Sequence, residues 1–276
     1  MKSVQPLFVV DAFTGRGLLG NPAGVCPLDS WPSEAVMQAL AHKLALSETA
    51  YFAHDGAPGY LLRWFTPETE VDLCGHATLA SAAVFFRDID PDAQVVRFST
   101  LKAGDLTVTR DGDLLELDFP ARPAEPGPIV GIGAALGAEP VETLAIPGRT
   151  SFAVFADERT VRGLRPDMAL VAALDGQLVI ATAPGEASDF VSRCFAPRAG
   201  IPEDPVTGSA YTTLVPYWSG RLGKTTLHAV QASERGGELF CEDRGDRIRI
   251  AGRATIRQRG SVDLESAPPQ AELAPV

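Results

Sequence analysis

The sequence predicts an α+β fold of two similar domains, in each of which strands wrap around a buried helix. Three observations predict it. Residues 77–86 (ATLASAAVFF) are apolar nearly all round, not along one stripe, as in a helix buried on every side, and stretches with strand patterning flank them. The second half of the chain repeats the element order of the first. Between the halves, residues 120–128 (PARPAEPGP) break the pattern and read as a linker rich in proline and alanine. At 276 residues the chain is long for one hydrophobic core and ample for two. The expected domains are 1–119 and 120–262. The segment beyond about 262 can pack back on the first domain, and 266–276 (SAPPQAELAPV) is expected to be a flexible tail.

Residues 7–10 read as a strand. A glycine-rich loop at 15–24 (GRGLLGNPAG) follows as a candidate pocket wall, before a short strand near Val25. Ser30, Pro32 and Glu34 open a helix in which Val36, Leu40 and Leu44 keep helical spacing, and it runs out at 47–49 (SET). Strands are predicted over 50–53 and 60–65, then the buried helix, then strands over 95–99, 106–110 and 114–119. Asp111, Gly112 and Asp113 form the hairpin turn between the last two. Beyond the linker come a strand at 152–155, a helix at 167–174, strands at 178–183 and 189–195, and an apolar helix at 211–218. Strands at 227–231, 238–242, 247–250 and 254–258 complete the order. Residues 131–137 (GIGAALG) mimic a dinucleotide-binding fingerprint, but they follow a proline-rich linker instead of a strand and their spacing is wrong. They read as a short helix with a glycine stop.

Hydrophobic residues make up 45% and charged residues 21% of the chain, the balance of a soluble globular protein. A formal net charge of -11 repels phosphate backbones and anionic membrane surfaces, so neither nucleic acid nor a membrane is an expected partner. No apolar run approaches the roughly 18 residues that span a bilayer, and a cytoplasmic location is expected. The four cysteines, Cys26, Cys74, Cys194 and Cys241, form no C-x-x-C pair and have no metal-ligand spacing to the histidines. Neither a disulfide framework nor a metal site is expected. Cys26, Cys194 and Cys241 read as small buried hydrophobes; Cys74 stands at a helix start, where a thiol can have a depressed pKa.

The most informative stretch is 63–80 (RWFTPETEVDLCGHATLA), where an extended run passes through a polar turn into Cys74, Gly75 and His76 at the head of the buried helix. First-turn N–H groups and the positive end of the helix dipole can hold a carboxylate without a cationic side chain. Gly75 lets a ligand approach the backbone, and His76 adds a titratable ring. The same design returns at 203–210 (EDPVTGSA), ahead of the second apolar helix. As structural residues, His76 and Ser209 would cap helices and Asp204 would shape a turn. Arg63, Glu70 and Asp72 read as strand and turn residues.

Three motifs in order, Ser47-Glu48-Thr49, Cys74-Gly75-His76-Ala77-Thr78 and Asp204-Pro205-Val206-Thr207-Gly208-Ser209-Ala210, resemble the PhzF-like phenazine-biosynthesis family, and the resemblance spans nearly the whole chain. It implies the diaminopimelate-epimerase-like fold: two similar α+β domains, each a mixed curled sheet around a central helix, and commonly a homodimer. It implies Glu48 as the proton-transferring base, with His76 and Asp204 as further catalytic groups that orient the substrate and relay the proton. Gly75, Gly208 and Ser209 would bind the substrate carboxylate, and Asn21 would line the same pocket. Moving a proton between carbons of a small acid needs a carboxylate base in an apolar, closing cleft, for which Leu44, Ala45 and Leu46 are candidate walls.

Residues 63–77 also look like the stretch of diaminopimelate epimerase that carries its first catalytic cysteine, and Cys74 falls at that position. The matching region of the second half, 204–210, has no cysteine. Inversion by a thiol pair is therefore disfavoured. The leading expectation is a cofactor-independent isomerase that shifts a proton within a small carboxylic acid through Glu48, with no metal. The alternatives are an amino-acid-type epimerase or racemase using Cys74, and a small-acid binding protein without turnover.

Overall fold

The computed structural model of the protein describes residues 4–54, 56, 59–266 and 268–276. Residues 1–3, and Ala267 of the expected tail, lie outside the described residues. The chain divides into two compact units. The first comprises Met1–Thr14, Asn21–Asp118 and Ala251–Val276, and the second Gly15–Gly20 and Phe119–Ile250.

The first unit begins with β1 (Val4–Thr14), β2 (Asn21–Pro27), α1 (Glu34–Leu44), β3 (Glu48–Ala53), β4 (Tyr60–Phe65), β5 (Glu70–Val71) and α2 (Gly75–Val84), followed by β6 (Val95–Ser99), β7 (Leu106–Asp111) and β8 (Leu114–Pro120). Both helices are crossovers between parallel neighbours, α1 joining β2 to β3 and α2 carrying the chain from β4 to β6. The pairs β1–β2, β3–β4, β6–β7 and β7–β8 are antiparallel. Helix α1 buries one face, Met37, Leu40 and Ala41, against β3 and β4, as its spacing predicts. Helix α2 packs against β1, β2 and β3, and Ala77, Leu79, Ala80 and Ala82 are wholly inaccessible. Its small side chains let several strands approach one helix. Two of them are hydroxyls that burial would otherwise strand, and each turns back onto its own helix: Thr78 Oγ1 donates to the Cys74 carbonyl at 2.6 Å and Ser81 Oγ to the Ala77 carbonyl at 2.8 Å.

The second unit runs β9 (Glu125–Pro126), α3 (Ile132–Leu136), β10 (Glu142–Ile146), β11 (Thr150–Val154), α4 (Glu158–Gly163), α5 (Met168–Ala173), β12 (Leu178–Pro184), β13 (Phe190–Ala196), β14 (Ile201–Asp204), α6 (Tyr211–Leu222), β15 (Thr226–Gln231) and β16 (Gly237–Asp243). Its connectivity repeats that of the first. Strands β11 and β12 are parallel across α4 and α5, and β13 and β15 are parallel across α6. The pairs β12–β13 and β15–β16 are antiparallel. Trp218 on α6 stacks on Phe190 at 5.6 Å and donates from Nε1 to Thr182 Oγ1 at 3.0 Å. Pro216 inside α6 brings no N–H to the carbonyl of Thr212; that carbonyl instead accepts from Arg122 N at 2.8 Å, which ties down the expected linker.

Strand β17 (Arg247–Asp263) leaves the second unit and pairs along β1 from Val4↔Asp263 to Thr14↔Arg253, and β18 (Gln270–Pro275) pairs antiparallel with it. Several expectations are corrected here. Strands 247–250 and 254–258 are one strand, Arg247–Asp263, whose ladder to β1 begins at Arg253. The chain therefore re-enters the first unit at Ala251 and not near 262. The expected tail is a strand whose pairing is backbone-driven: Gly260 has no Cβ to block the approach of the Glu272 carbonyl. Asn21 to Gly24, read as loop, belongs to β2, and Glu48 opens β3 instead of ending a helix. No helix among the described residues is long and apolar enough to cross a membrane.

Enlarging α2 at its most enclosed face should be costly. Ala80→Leu is expected to destabilise the protein by about 1–3 kcal/mol through overpacking, measured by urea denaturation; an unchanged midpoint would contradict the enclosure of α2.

Candidate active site

Strand and helix starts assemble the first group of polar residues. Asn21 opens β2 and Glu48 opens β3, and these strands are parallel neighbours with Ala23 opposite Glu48. Both residues therefore emerge at the same end. Helix α2 packs on β2 and β3 with Gly75 and His76 in its first turn, which brings its head to that end. No side-chain hydrogen bond caps the helix from Cys74.

His76 is the hub. Its Nε2 lies 3.1 Å from Glu48 Oε2, and both side chains are almost fully enclosed, 6% and 12% exposed. The approach is too oblique for a formed hydrogen bond, and neither atom has another hydrogen-bond partner. A buried carboxylate oxygen and a buried ring nitrogen thus keep bonding capacity that burial makes expensive to leave unused. On the other edge of the ring, Asn21 Nδ2 lies 3.3 Å and Cys74 Sγ 3.4 Å from Nδ1. Ser47 Oγ donates to Asn21 Oδ1 at 2.9 Å. Of the expected apolar walls, Leu44 packs into the α1 cluster, whereas Ala45, the left-handed residue that ends α1, is exposed.

Burial governs the titration of this group. It pushes the Cys74 thiol up, helped by the neighbouring Glu48 carboxylate and opposed by His76, to about 11. The depressed thiol expected at a helix start is therefore corrected: enclosure outweighs the helix dipole, and Cys74 is neutral at neutral pH. For His76, burial disfavours the imidazolium, but the attraction of the neighbouring Cys74 and Glu48 prevails and holds the ring well above its ordinary value. With Cys74 protonated, Glu48 supplies that attraction.

Glu48, Cys74 and His76 each offer one potential metal-ligating atom, all within 4.8 Å of one another. The thiol, however, lies on the Nδ1 side of the ring and the carboxylate on the Nε2 side. The shortest contacts thus fall on opposite edges of the ring, a layout that suits a relay across it.

In the second unit, Asp204 ends β14, and Gly208 and Ser209 lie in a short 3-10 turn that leads into α6. Thr207 Oγ1 donates to Asp204 Oδ2 at 2.6 Å. Gln231, fully buried, accepts from Thr207 N at 2.9 Å and donates to the Asp204 carbonyl at 2.8 Å, so one side chain clamps the whole turn. Gly208 is buried and Ser209 exposed. Cys194, ten residues earlier in sequence, stands opposite Asp204 in the β13–β14 register. Burial pushes its thiol up, so it too is neutral.

A family model described as phenazine biosynthesis-like protein matches residues 10–260. The chain belongs to the PhzF family. An uncharacterized isomerase of Pseudomonas aeruginosa is 47% identical over 260 residues, covering 94% of this chain and 98% of its own. The human phenazine biosynthesis-like domain-containing protein is 40% identical, with 94% of this chain and 97% of its own covered. A solved PhzF-family structure from Enterococcus faecalis aligns with a TM-score of 0.89 at 46% identity, covering 94% of this chain and 98% of its own. A hydroxyproline epimerase from Agrobacterium vitis aligns with a TM-score of 0.62 at 13% identity, over 96% and 94% of the two chains, a likeness of fold alone. The PhzF relatives described as isomerases identify this chain as an isomerase, with the epimerase-like fold expected from its motifs.

For this PhzF-family chain, Asn21, Glu48, Gly75 and His76 come together in the first unit, and Asp204, Gly208 and Ser209 in the second. Sequence reasoning passed over Ser47 and Thr207 as individual actors, although both lie inside the motifs. It missed Gln231, which is far from any motif and has no local signal beyond a polar residue at an inward strand position.

The raised His76 sets a pH dependence. A ring whose folded value exceeds the usual one of about 6.5 adds stability below that pH and loses it as pH rises through the folded value. Glu48→Gln is expected to lower the His76 midpoint in an NMR titration and to remove that alkaline loss of unfolding free energy. An unmoved midpoint would show that Glu48 does not hold the proton. In the native wild type at pH 8, iodoacetamide is expected to leave Cys74 unmodified, as read by mass spectrometry; rapid alkylation would refute a buried, neutral thiol.

Proposed function

We propose that the protein is a cofactor-independent isomerase that moves a proton within a small carboxylate-bearing acid, with Glu48 as the single shuttling acid/base. The observation that carries this reading is the enclosed pair Glu48 Oε2 and His76 Nε2, 3.1 Å apart with no other hydrogen-bond partners. A base that must take a proton from carbon and return it elsewhere on the same face needs a desolvated carboxylate and a neighbour that stabilises both of its protonation states. His76 supplies that neighbour. Gly75 at the head of α2 offers backbone N–H groups to a carboxylate, and to charge that develops as the proton leaves. By the match of motifs, we assign Asp204 to orienting or protonating the substrate, and Gly208 and Ser209 to binding it. We also propose that the protein works in the cytoplasm as a homodimer.

The alternative of an epimerase using Cys74 is not favoured, because its thiol is neutral and buried. Membership of the family does not entail a part in phenazine synthesis, since specificity depends on pocket side chains outside the motifs.

Deuterium incorporation from heavy water into a panel of small unsaturated and amino-substituted carboxylic acids, with product isomers followed alongside, tests the reading. Glu48→Gln is expected to keep the fold while losing about 10²-fold or more of exchange and turnover, and Cys74→Ser to keep most of both. Full activity in Glu48→Gln would end the proposal, and loss confined to Cys74→Ser would transfer it to the thiol.

A further inference from the structure

The Nδ1 edge of His76 is enclosed by two groups to which the proposed proton transfer gives no task. Asn21 is fully buried, with Nδ2 lying 3.3 Å from Nδ1 and Oδ1 lying 2.9 Å from Ser47 Oγ. A carboxamide nitrogen can only donate and its oxygen can only accept. With the Ser47 hydroxyl donating to Oδ1, the amide presents N–H to the ring, and Nδ1 must accept. Cys74 Sγ stands 3.4 Å from the same nitrogen, and as a neutral thiol it brings an S–H, a second donor. Two donors along one edge leave the proton of a neutral ring on the other, which is Nε2, the atom beside Glu48.

Resting on the reading of Glu48 and His76 as the proton-transfer pair, we propose that Asn21, anchored by Ser47, is a positioning residue that keeps Nδ1 of His76 an acceptor, so that the neutral ring carries its proton on Nε2, facing Glu48. The opposite tautomer is penalised at both ends. Its Nδ1–H would meet the amide N–H, and its Nε2 lone pair would meet a carboxylate, in surroundings too dry to screen either conflict. Asn21 thereby acts through the ring, which revises its expected role of lining the substrate pocket. The ionisable groups that face the ring are Glu48 from β3, whose carboxylate draws a further proton onto it, and Cys74 from the head of α2, which as a neutral thiol does not. Asn21, from the start of β2, resists that proton at Nδ1 and leaves Nε2 as the exchanging site.

Long-range ¹⁵N NMR of the full-length protein labelled at histidine tests this without any substrate. The His76 signals are assigned by their loss in His76→Gln, and the tautomer is read at the alkaline end of the ring's titration. The wild type is expected to hold the Nε2–H form by at least about tenfold, the ratio that a 1.4 kcal/mol preference gives. Asn21→Asp places an acceptor at Nδ1 and is expected to reverse the tautomer and move deprotonation to higher pH. Asn21→Leu, with neither donor nor acceptor, should give a mixture. If Asn21→Leu fails to fold, Asn21→Asp, which keeps the side-chain shape, carries the test. An Nε2–H ring that is unchanged in the folded variants would overturn the proposal. So would a wild-type ring with its proton on Nδ1. Because no turnover is read, either result stands apart from a failure of Glu48 as the base, which the exchange experiment detects.

Discussion

The enclosure of α2 is the constraint on which the rest of the first unit depends. A helix touched by β1, β2 and β3 presents mostly small side chains, and its polar needs must be met internally, as Thr78 and Ser81 do. Its first turn is the exception. There the backbone N–H groups face away from the helix, and the chain brings the starts of β2 and β3 to the same end. The polar residues of the candidate site are therefore gathered by topology. A parallel β2–β3 pair needs a crossover, α1, and the residues that leave the crossover and enter β3 are Ser47 and Glu48.

Desolvation then sorts these groups by chemistry. The same burial that keeps Cys74 neutral also disfavours charge on His76, and the Glu48 carboxylate 3.1 Å away opposes it. One environment thus yields a thiol that serves as a hydrogen-bond donor and an imidazole that can carry charge. The two edges of the ring are dissimilar: Nδ1 meets groups that fix it, and Nε2 meets a carboxylate with bonding capacity to spare. That asymmetry suits proton movement at one edge of the ring.

The second unit repeats the scaffold with other side chains. Crossovers between parallel strands recur at α4 and α5 and again at α6, and the turn before α6 stands where Cys74 and Gly75 stand before α2. At the matching place of the repeat stand Asp204 and Thr207, and no cysteine. Thr207 and Gln231 fix the Asp204 turn by hydrogen bonds that leave no slack in its backbone. A duplicated fold with unequal halves is consistent with a single base and with membership of the PhzF family.

Much of this was legible in the sequence because it is local. The apolar run at 77–86 and the small residues within it determined a buried helix by composition, and alternation located β4 and β6 to the residue. Three motifs in order made Glu48, His76 and Asp204 the candidates. What the sequence could not hold was set by long-range pairing. Strand β18 follows two prolines and has few β-favouring residues, and it pairs because β17 offers a ladder and Gly260 a clearance. Cys74 has the position of an activated thiol, yet its reactivity depends on how many neighbours exclude water from it, and no local pattern encodes that number. By itself the sequence determined the family, the main strands and helices in order and the candidate residue types, since these follow from periodicity and short motifs. Only the tertiary structure decided which edge of His76 faces Glu48 and which faces Asn21, because that choice is made by residues 28 and 55 positions away, meeting at the ends of different strands.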